Sequence, residues 1–316
     1  MIKISPQAYK HHTLFIPKKH LYSNHFVPGV LMPEKMGLGA YRPLLAIPIV
    51  MLLLASGLLA YGYTQTGEWF QRSIDLKGGT LLSIRTDSPH DPGLIESGLS
   101  RHFGQVVVRE LRSFSGFGLT VQVDSGVDAD DVKSRLEALG IDTGDTSVET
   151  IGPTLGESFW LQAQASLVAA FILMGIIVFV IFRSFVPSTA VILAAVSDII
   201  VTLALMQLIS IEMSLASLAA LLMLIGYSID TDILLTTRVI RTQEDSVSSR
   251  TRGAFKTGMT MTLTTIGVLA AIVVTTTSAV LFTIASVLLL GLAVDIVNTW
   301  LMNATIIRWY AERKGL

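Results

Sequence analysis

The chain has 316 residues, 51% of them hydrophobic and only 15% charged, with a net charge of −1; its mean hydropathy is +0.61. Soluble domains carry about 25% charged residues, so the composition argues against two water-soluble domains. The charges lie in blocks with no basic face, so no nucleic-acid partner is expected, and the absence of cysteine excludes a disulfide framework and a thiolate metal site.

Residues 1–42 lack an apolar core, show no cleavable signal peptide and read as a cytoplasmic N-terminal tail. Its four histidines, His11, His12, His20 and His25, read as solvated, and no metal site is expected. A bilayer is crossed by about 20 apolar residues in a helix. Residues 43–62 are free of charge and form the first candidate span. The five others are 159–182, without charge; 185–208, with Asp198; 213–237, with Asp230 and Asp232; 257–280, without charge; and 281–307, with Asp295. A tight turn near 275–279 separates the last two.

Residues 63–158 read as a mixed α and β domain. Strands are expected at 80–86, 105–111, 118–123 and 147–151, and helices at 92–103 and 129–139 with Asp91 and Asp128 as N-caps. The order βαββαβ matches a ferredoxin-like unit. Lys and Arg concentrate in the tail, at Arg183, in a loop over 238–256 that contains Arg238, and in a C-terminal segment over 308–316; the connections at 209–212 and 275–279 have none. Both termini are therefore expected on the cytoplasmic side and residues 63–158 outside. The expected fold is an α-helical polytopic membrane protein with six transmembrane helices, five of them bundled over 159–307, and one extracytoplasmic α+β domain.

Aspartates inside apolar spans carry the functional signal. A carboxylate at mid-bilayer costs roughly 3 kcal/mol on insertion scales, so such residues face the bundle interior and commonly mark ion pathways. Asp198, Asp230 and Asp295 lie near the middle of their spans, and no Lys or Arg lies in the core of any span. At about 100° per residue, Asp230 and Asp232 point some 200° apart. Asp230 shares its face with Met223, Gly226, Tyr227, Leu234 and Thr237; Asp232 shares its face with Ile225, Ser228, Leu235 and Thr236. Asp230 is the favoured ion carrier; Asp232, deeper toward the cytoplasm, is within expected reach of the membrane interface or of Arg238. Tyr227, Thr262, Thr264, Thr265 and Asn298 are candidate relay groups, with Thr257 and Thr260 on the same span as the other threonines. No nucleotide motif is present, so any energy source is the membrane gradient.

Several segments, taken in order, resemble the SecF family of protein-export membrane proteins, within the resistance–nodulation–division superfamily. DLKGGT at 75–80, with Asp75, Gly78 and Gly79, is similar to the family's element after the first span. ETIGPTLGES at 149–158, with Gly152, Pro153 and Gly156, is similar to its Gly-Pro-x-x-Gly signature before the second. FRS at 182–184, AVSDIIVTL at 195–203, LIGYSIDTDILLTTRVIR at 224–241 and RTRGAFKTGMTMTLTTIG at 250–267 resemble its later motifs. Ser197 stands where bacterial members have His. Asp230 and Asp232 flank the bacterial aspartate position, Asp230 matches the aspartate of the partner family SecD, and Asp295 lies outside the bacterial pattern; these features resemble archaeal members. The resemblance implies a non-enzymatic accessory subunit of the Sec export machinery. It implies work with SecD and a SecYE-type channel on a translocating polypeptide, driven by transported H⁺ or Na⁺ with no other cofactor. The alternatives are a lipid or small-molecule exporter of the same superfamily and a structural channel partner without ion coupling.

Overall fold

The computed structural model describes residues 41–114, 116–242 and 246–316. The expectations for the N-terminal tail and its histidines lie outside these residues.

The charge-free first span forms α1 (Tyr41–Thr66). The chain then builds a head from α2 (Ile74–Lys77), β1 (Gly79–Thr86), α3 (Pro92–Phe103), β2 (Val106–Ser113), β3 (Gly116–Val123), α4 (Ala129–Ala138) and β4 (Thr146–Ile151). Its four strands form one antiparallel sheet in the order β2-β3-β1-β4, the arrangement expected of a ferredoxin-like βαββαβ unit. Alternation along the strands sends Leu82, Ile84, Val108, Leu119 and Val121 to one face. There they pack with Leu99 of α3 and Val132 and Leu136 of α4. The expected caps are in place: Asp91 Oδ1 accepts from the Gly93 amide at 2.9 Å and Asp128 Oδ1 from the Asp130 amide at 3.0 Å.

Five further elements complete the bundle: α5 (Pro153–Phe182), α6 (Phe185–Leu208), α7 (Leu215–Arg241), α8 (Val247–Thr275), and α9 (Ala279–Val297), which continues through a π-helical turn (Asn298–Asn303) into α10 (Ala304–Lys314). Six helical stretches among the described residues are thus long and apolar enough to cross a membrane. Arg183, at φ 49°, breaks α5 from α6, its amide donating to the Phe179 carbonyl at 2.8 Å. A reciprocal pair of hydrogen bonds between Ser214 and Ser217 starts α7. α6, α7 and the last span form the more enclosed layer; α1, α5 and α8 lie outside it. The connection expected over 238–256 is shorter: α7 runs to Arg241, and Ser246 caps α8 by accepting from the Ser249 amide at 3.3 Å. Charged side chains there decorate helix ends instead of a long loop, since Arg250 is buried and donates to the Val239 carbonyl at 2.7 Å and the Leu316 carbonyl at 2.9 Å.

The sheet's second face looks toward the bundle. The Ser73 amide donates to the Met213 carbonyl and the Met213 amide to the Gln71 carbonyl, both at 2.8 Å. Asp75 Oδ2 accepts from the Leu215 amide at 3.2 Å, in the first turn of α7. Arg109 Nη2 lies 3.0 Å from Glu212 Oε1. The far end of β2 reaches the turn between α8 and α9, where the Phe114 amide and Ser113 Oγ both donate to the Val274 carbonyl at 3.2 Å.

Candidate functional site

The enclosed layer brings Asp198 of α6, Asp232 of α7 and Asp295 of α9 together, each 1% exposed or less. Their partners come from the π-helical turn and from neighbouring hydroxyls. Asp198 Oδ1 accepts from Asn298 Nδ2 at 2.7 Å and its Oδ2 from Ser228 Oγ at 2.6 Å; Asn298 Nδ2 also reaches Ser197 Oγ at 3.0 Å. Asp232 Oδ1 accepts from Asn303 Nδ2 at 2.6 Å. Thr299 Oγ1 stands between two acids, 3.0 Å from Asp232 Oδ1 and 2.9 Å from Asp295 Oδ1. Asp295 lies close enough to interact electrostatically with both other carboxyl groups.

The π turn explains how one helix serves two neighbours. Its i→i+5 winding widens the helix locally. Asn298 thereby meets α6 while Thr299 and Asn303 meet α7. α8 makes room for the turn, because a β-carbon at Gly258 would lie 2.6 Å from the Trp300 ring. Among the described residues no ion pair reaches any of the three acids. Asp232 Oδ2, Asn298 Oδ1 and Asn303 Oδ1 are buried without a hydrogen-bond partner among them. The cluster therefore offers several oxygen acceptors, no fixed cation among the described residues, and two hydroxyls, of Thr299 and Ser228, each placed between two acids.

The sequence-expected residues divide by burial. Asp198, Asp295 and Asn298 enter the cluster, and so does Asp232, whose face companions Ile225, Ser228, Leu235 and Thr236 are all buried. Asp230, favoured on sequence, stands exposed with Met223 and Tyr227 on the outer face of α7. Asp232 meets Asn303 and Thr299 instead of Arg238, whose Nη1 donates to the Gly253 carbonyl at 2.7 Å and Thr257 Oγ1 at 2.9 Å. The threonine relay does not form: Thr264 and Thr265 Oγ1 donate to carbonyls of their own helix. Thr262 is buried on α8. Arg183 is exposed at the α5–α6 break. Ser197, Ser228, Thr299 and Asn303 were not singled out as relay groups. Asn303 carried the same signal as Asn298, an amide inside the last apolar span.

The glycine motifs meet at the root of the head. A β-carbon on Gly78 would fall 2.7 Å from Pro153 Cα, and one on Gly156 2.6 Å from the Gly78 nitrogen. Gly79, at φ 143°, has the Val123 carbonyl 2.7 Å from where a β-carbon would sit. Gly152 caps α5 and Pro153 occupies its first turn.

These features define a multi-pass membrane protein whose ferredoxin-like head rests on a helical bundle with a buried acidic core. Residues 131–313 match the family described as protein export membrane protein SecD/SecF, C-terminal. A protein-export membrane protein SecF of Methanothermobacter thermautotrophicus is 42% identical over 280 residues, covering 87% of this chain and 94% of the relative. One of Pyrococcus furiosus is 38% identical over 275 residues, covering 87% and 93%. The chain belongs to the SecF family of protein-export membrane proteins. Its fold is also that of part of SecDF, a translocon-associated membrane protein from Thermus thermophilus, with a TM-score of 0.68 at 22% identity, covering 87% of this chain and 40% of that one. A SecDF structure in a super-membrane-facing form gives a TM-score of 0.52 and covers 88% and 39%. The chain thus spans about two fifths of those SecDF chains.

Proposed function

We propose that this chain is an accessory subunit of the Sec export machinery, working with SecD and a SecYE-type channel. It uses an H⁺ or Na⁺ gradient to promote polypeptide translocation. The observation that carries the reading is the buried Asp198–Asp232–Asp295 cluster, which has no cationic partner among the described residues and shares one Thr299 hydroxyl between two acids.

That hydroxyl has one hydrogen and serves one carboxylate at a time. A cation taken up by Asp232 or Asp295 supplies what the other contact lacks and relieves repulsion among the three acids. Release of the cation restores both costs. The packing of α7 against α9 is the element that this cycle biases. The head would follow, because Asp75 holds the first turn of α7 and Ser113 holds the last turn of α8. One charge crossing 100 mV releases about 2.3 kcal/mol, comparable to a modest repacking of helices. In this reading both termini are cytoplasmic and the head lies outside, where it meets the emerging polypeptide.

The test is export of a secreted reporter by membranes carrying Asp232→Asn, which keeps the side chain's shape and loses its charge. The gradient-dependent part of export should vanish while insertion and topology persist. A variant that follows the gradient like the wild type, with Asp230→Asn losing the response instead, overturns the assignment.

A further inference from the structure

One hairpin of the head reaches the end of a membrane span. β2 ends at Ser113 and β3 begins at Gly116, so Phe114 lies at the tip between them. Its side chain is 88% exposed, more than Leu53 or Leu54 on the outer face of α1. The backbone beneath that ring is nonetheless tied to the bundle. The Phe114 amide and Ser113 Oγ both donate to the Val274 carbonyl at 3.2 Å, and Arg85 Nη2 donates to Thr277 Oγ1 at 3.1 Å.

Those bonds fix the depth of the tip. The last charged residue of α8 is Lys256, 18 residues before Val274. That is about 27 Å along a helix, close to the roughly 30 Å of a bilayer's hydrocarbon core. Val274 therefore stands at the head-side limit of the apolar layer. It is itself 45% exposed, and Val280 and Leu281 at the start of α9 are exposed too. The Val274 carbonyl is one of the four that a helix end leaves without an internal donor. Ser278, whose amide would reach it in a continuing helix, donates to Thr276 Oγ1 at 3.1 Å instead. The hairpin supplies the donors that a carbonyl at that depth requires. A tip that caps α8 there cannot stand clear of the lipid. The charges of the hairpin lie higher. Arg112, 70% exposed and 2.6 Å from Glu110, is two residues or about 7 Å up the strand. Its long side chain, like that of Arg85, keeps the guanidinium at the wet, headgroup level.

We propose that Phe114 is a lipid-inserting anchor for the head: its ring enters the leaflet on the head's side, beside the end of α8, and acyl chains are its partner. The boundary between acyl chains and headgroups is where aromatic rings are enriched in membrane proteins. The inference is independent of which acids carry the ion and of any protein partner.

The absence of cysteine makes the test direct. Single cysteines are introduced in the full chain as Phe114→Cys, Leu139→Cys or Ile176→Cys and spin-labelled in nanodiscs of defined phospholipid. Leu139, 49% exposed, ends α4 on the side of the sheet turned away from the bundle and is the water reference. Ile176, 56% exposed on α5, is the lipid reference. The readout is the ratio of collisions with dissolved oxygen to collisions with a water-soluble nickel chelate. At position 114 that ratio should exceed the Leu139→Cys value about tenfold and approach the Ile176→Cys value. A ratio equal to that of Leu139→Cys overturns the proposal. Shielding of the 114 label from both reagents when the SecD chain of the same cell is added assigns the tip to a protein partner and overturns it as well. The native ring is tested by Phe114→Asp, which leaves the packed side of the head untouched. Hydrogen exchange at the residue-114 amide should accelerate several-fold in nanodiscs while the amides of β1 keep their rates. Unchanged exchange at 114 removes the anchor.

Discussion

Replacing Gly156 by alanine puts a methyl carbon 2.6 Å from the Gly78 nitrogen and 2.9 Å from the Lys77 carbonyl carbon. Both obstacles are backbone, so no side chain can swing aside. Alanine in the first turn of α5 recovers about 0.5–1 kcal/mol of helix propensity over glycine. Separating α2 from α5 by several tenths of an ångström is overpacking, which costs about 1–3 kcal/mol. With both ranges taken at their middle the net loss is about 1 kcal/mol, a roughly 5-fold shift toward an opened root of the head. The amides of Lys77 and Gly78, which bond the Ser73 and Ile74 carbonyls, report that opening. Hydrogen–deuterium exchange across 73–78 in detergent-solubilised protein should accelerate by that factor in Gly156→Ala. Gly267→Ala is the control, because a β-carbon there meets nothing within 4 Å. Equal exchange across 73–78 in the two variants refutes the close-approach argument.

Arg109→Ala strands Glu212, 6% exposed and with Oε2 already without a partner, at the seat of the head. The loss should be about 1–3 kcal/mol, with Arg109→Ala and Glu212→Ala strongly non-additive in a thermal-melting double-mutant cycle; additive losses remove the pair from the account. Arg250→Ala removes the donor to the Leu316 carbonyl and should free the C-terminus to carboxypeptidase. Digestion at the wild-type rate contradicts that anchor.

The head was legible because water gives its strands and helices an inside and an outside. Period-two alternation places Leu82 and Ile84 together, and the Asp91 and Asp128 caps fix where α3 and α4 begin. The spans were legible for a related reason, since their length in apolar residues is set by the bilayer. Helix geometry also separated the two aspartates of α7 onto opposite faces. What it could not do was say which face turns inward. In a membrane both the lipid and the bundle interior are apolar, so the stripe that orients a soluble helix disappears. The choice was decided by what α9 brings. Thr299 and Asn303 project onto α7 only because the helix is locally π-wound, and no residue pattern in NTWLMN announces that winding. The pairing of Gly78 with Gly156 was equally hidden, since two distant motifs show their common purpose only when their backbones touch.

The two aspartates of α7 then divide the labour of one helix. Asp232 ties α7 to the last span through the Thr299 hydroxyl and the Asn303 amide, and Asp230 stands on the exposed face of the same helix. Because they sit two residues apart on a rigid helix, a rotation that changes the surroundings of one must change those of the other. Asp75 fixes the far end of the same helix to the head, some 17 residues or about 26 Å from Asp232. A helix held at its outer end and along its buried face has few ways to move independently. A shift of α7 at the acid cluster should therefore be felt at its outer end, where Asp75 joins it to the head.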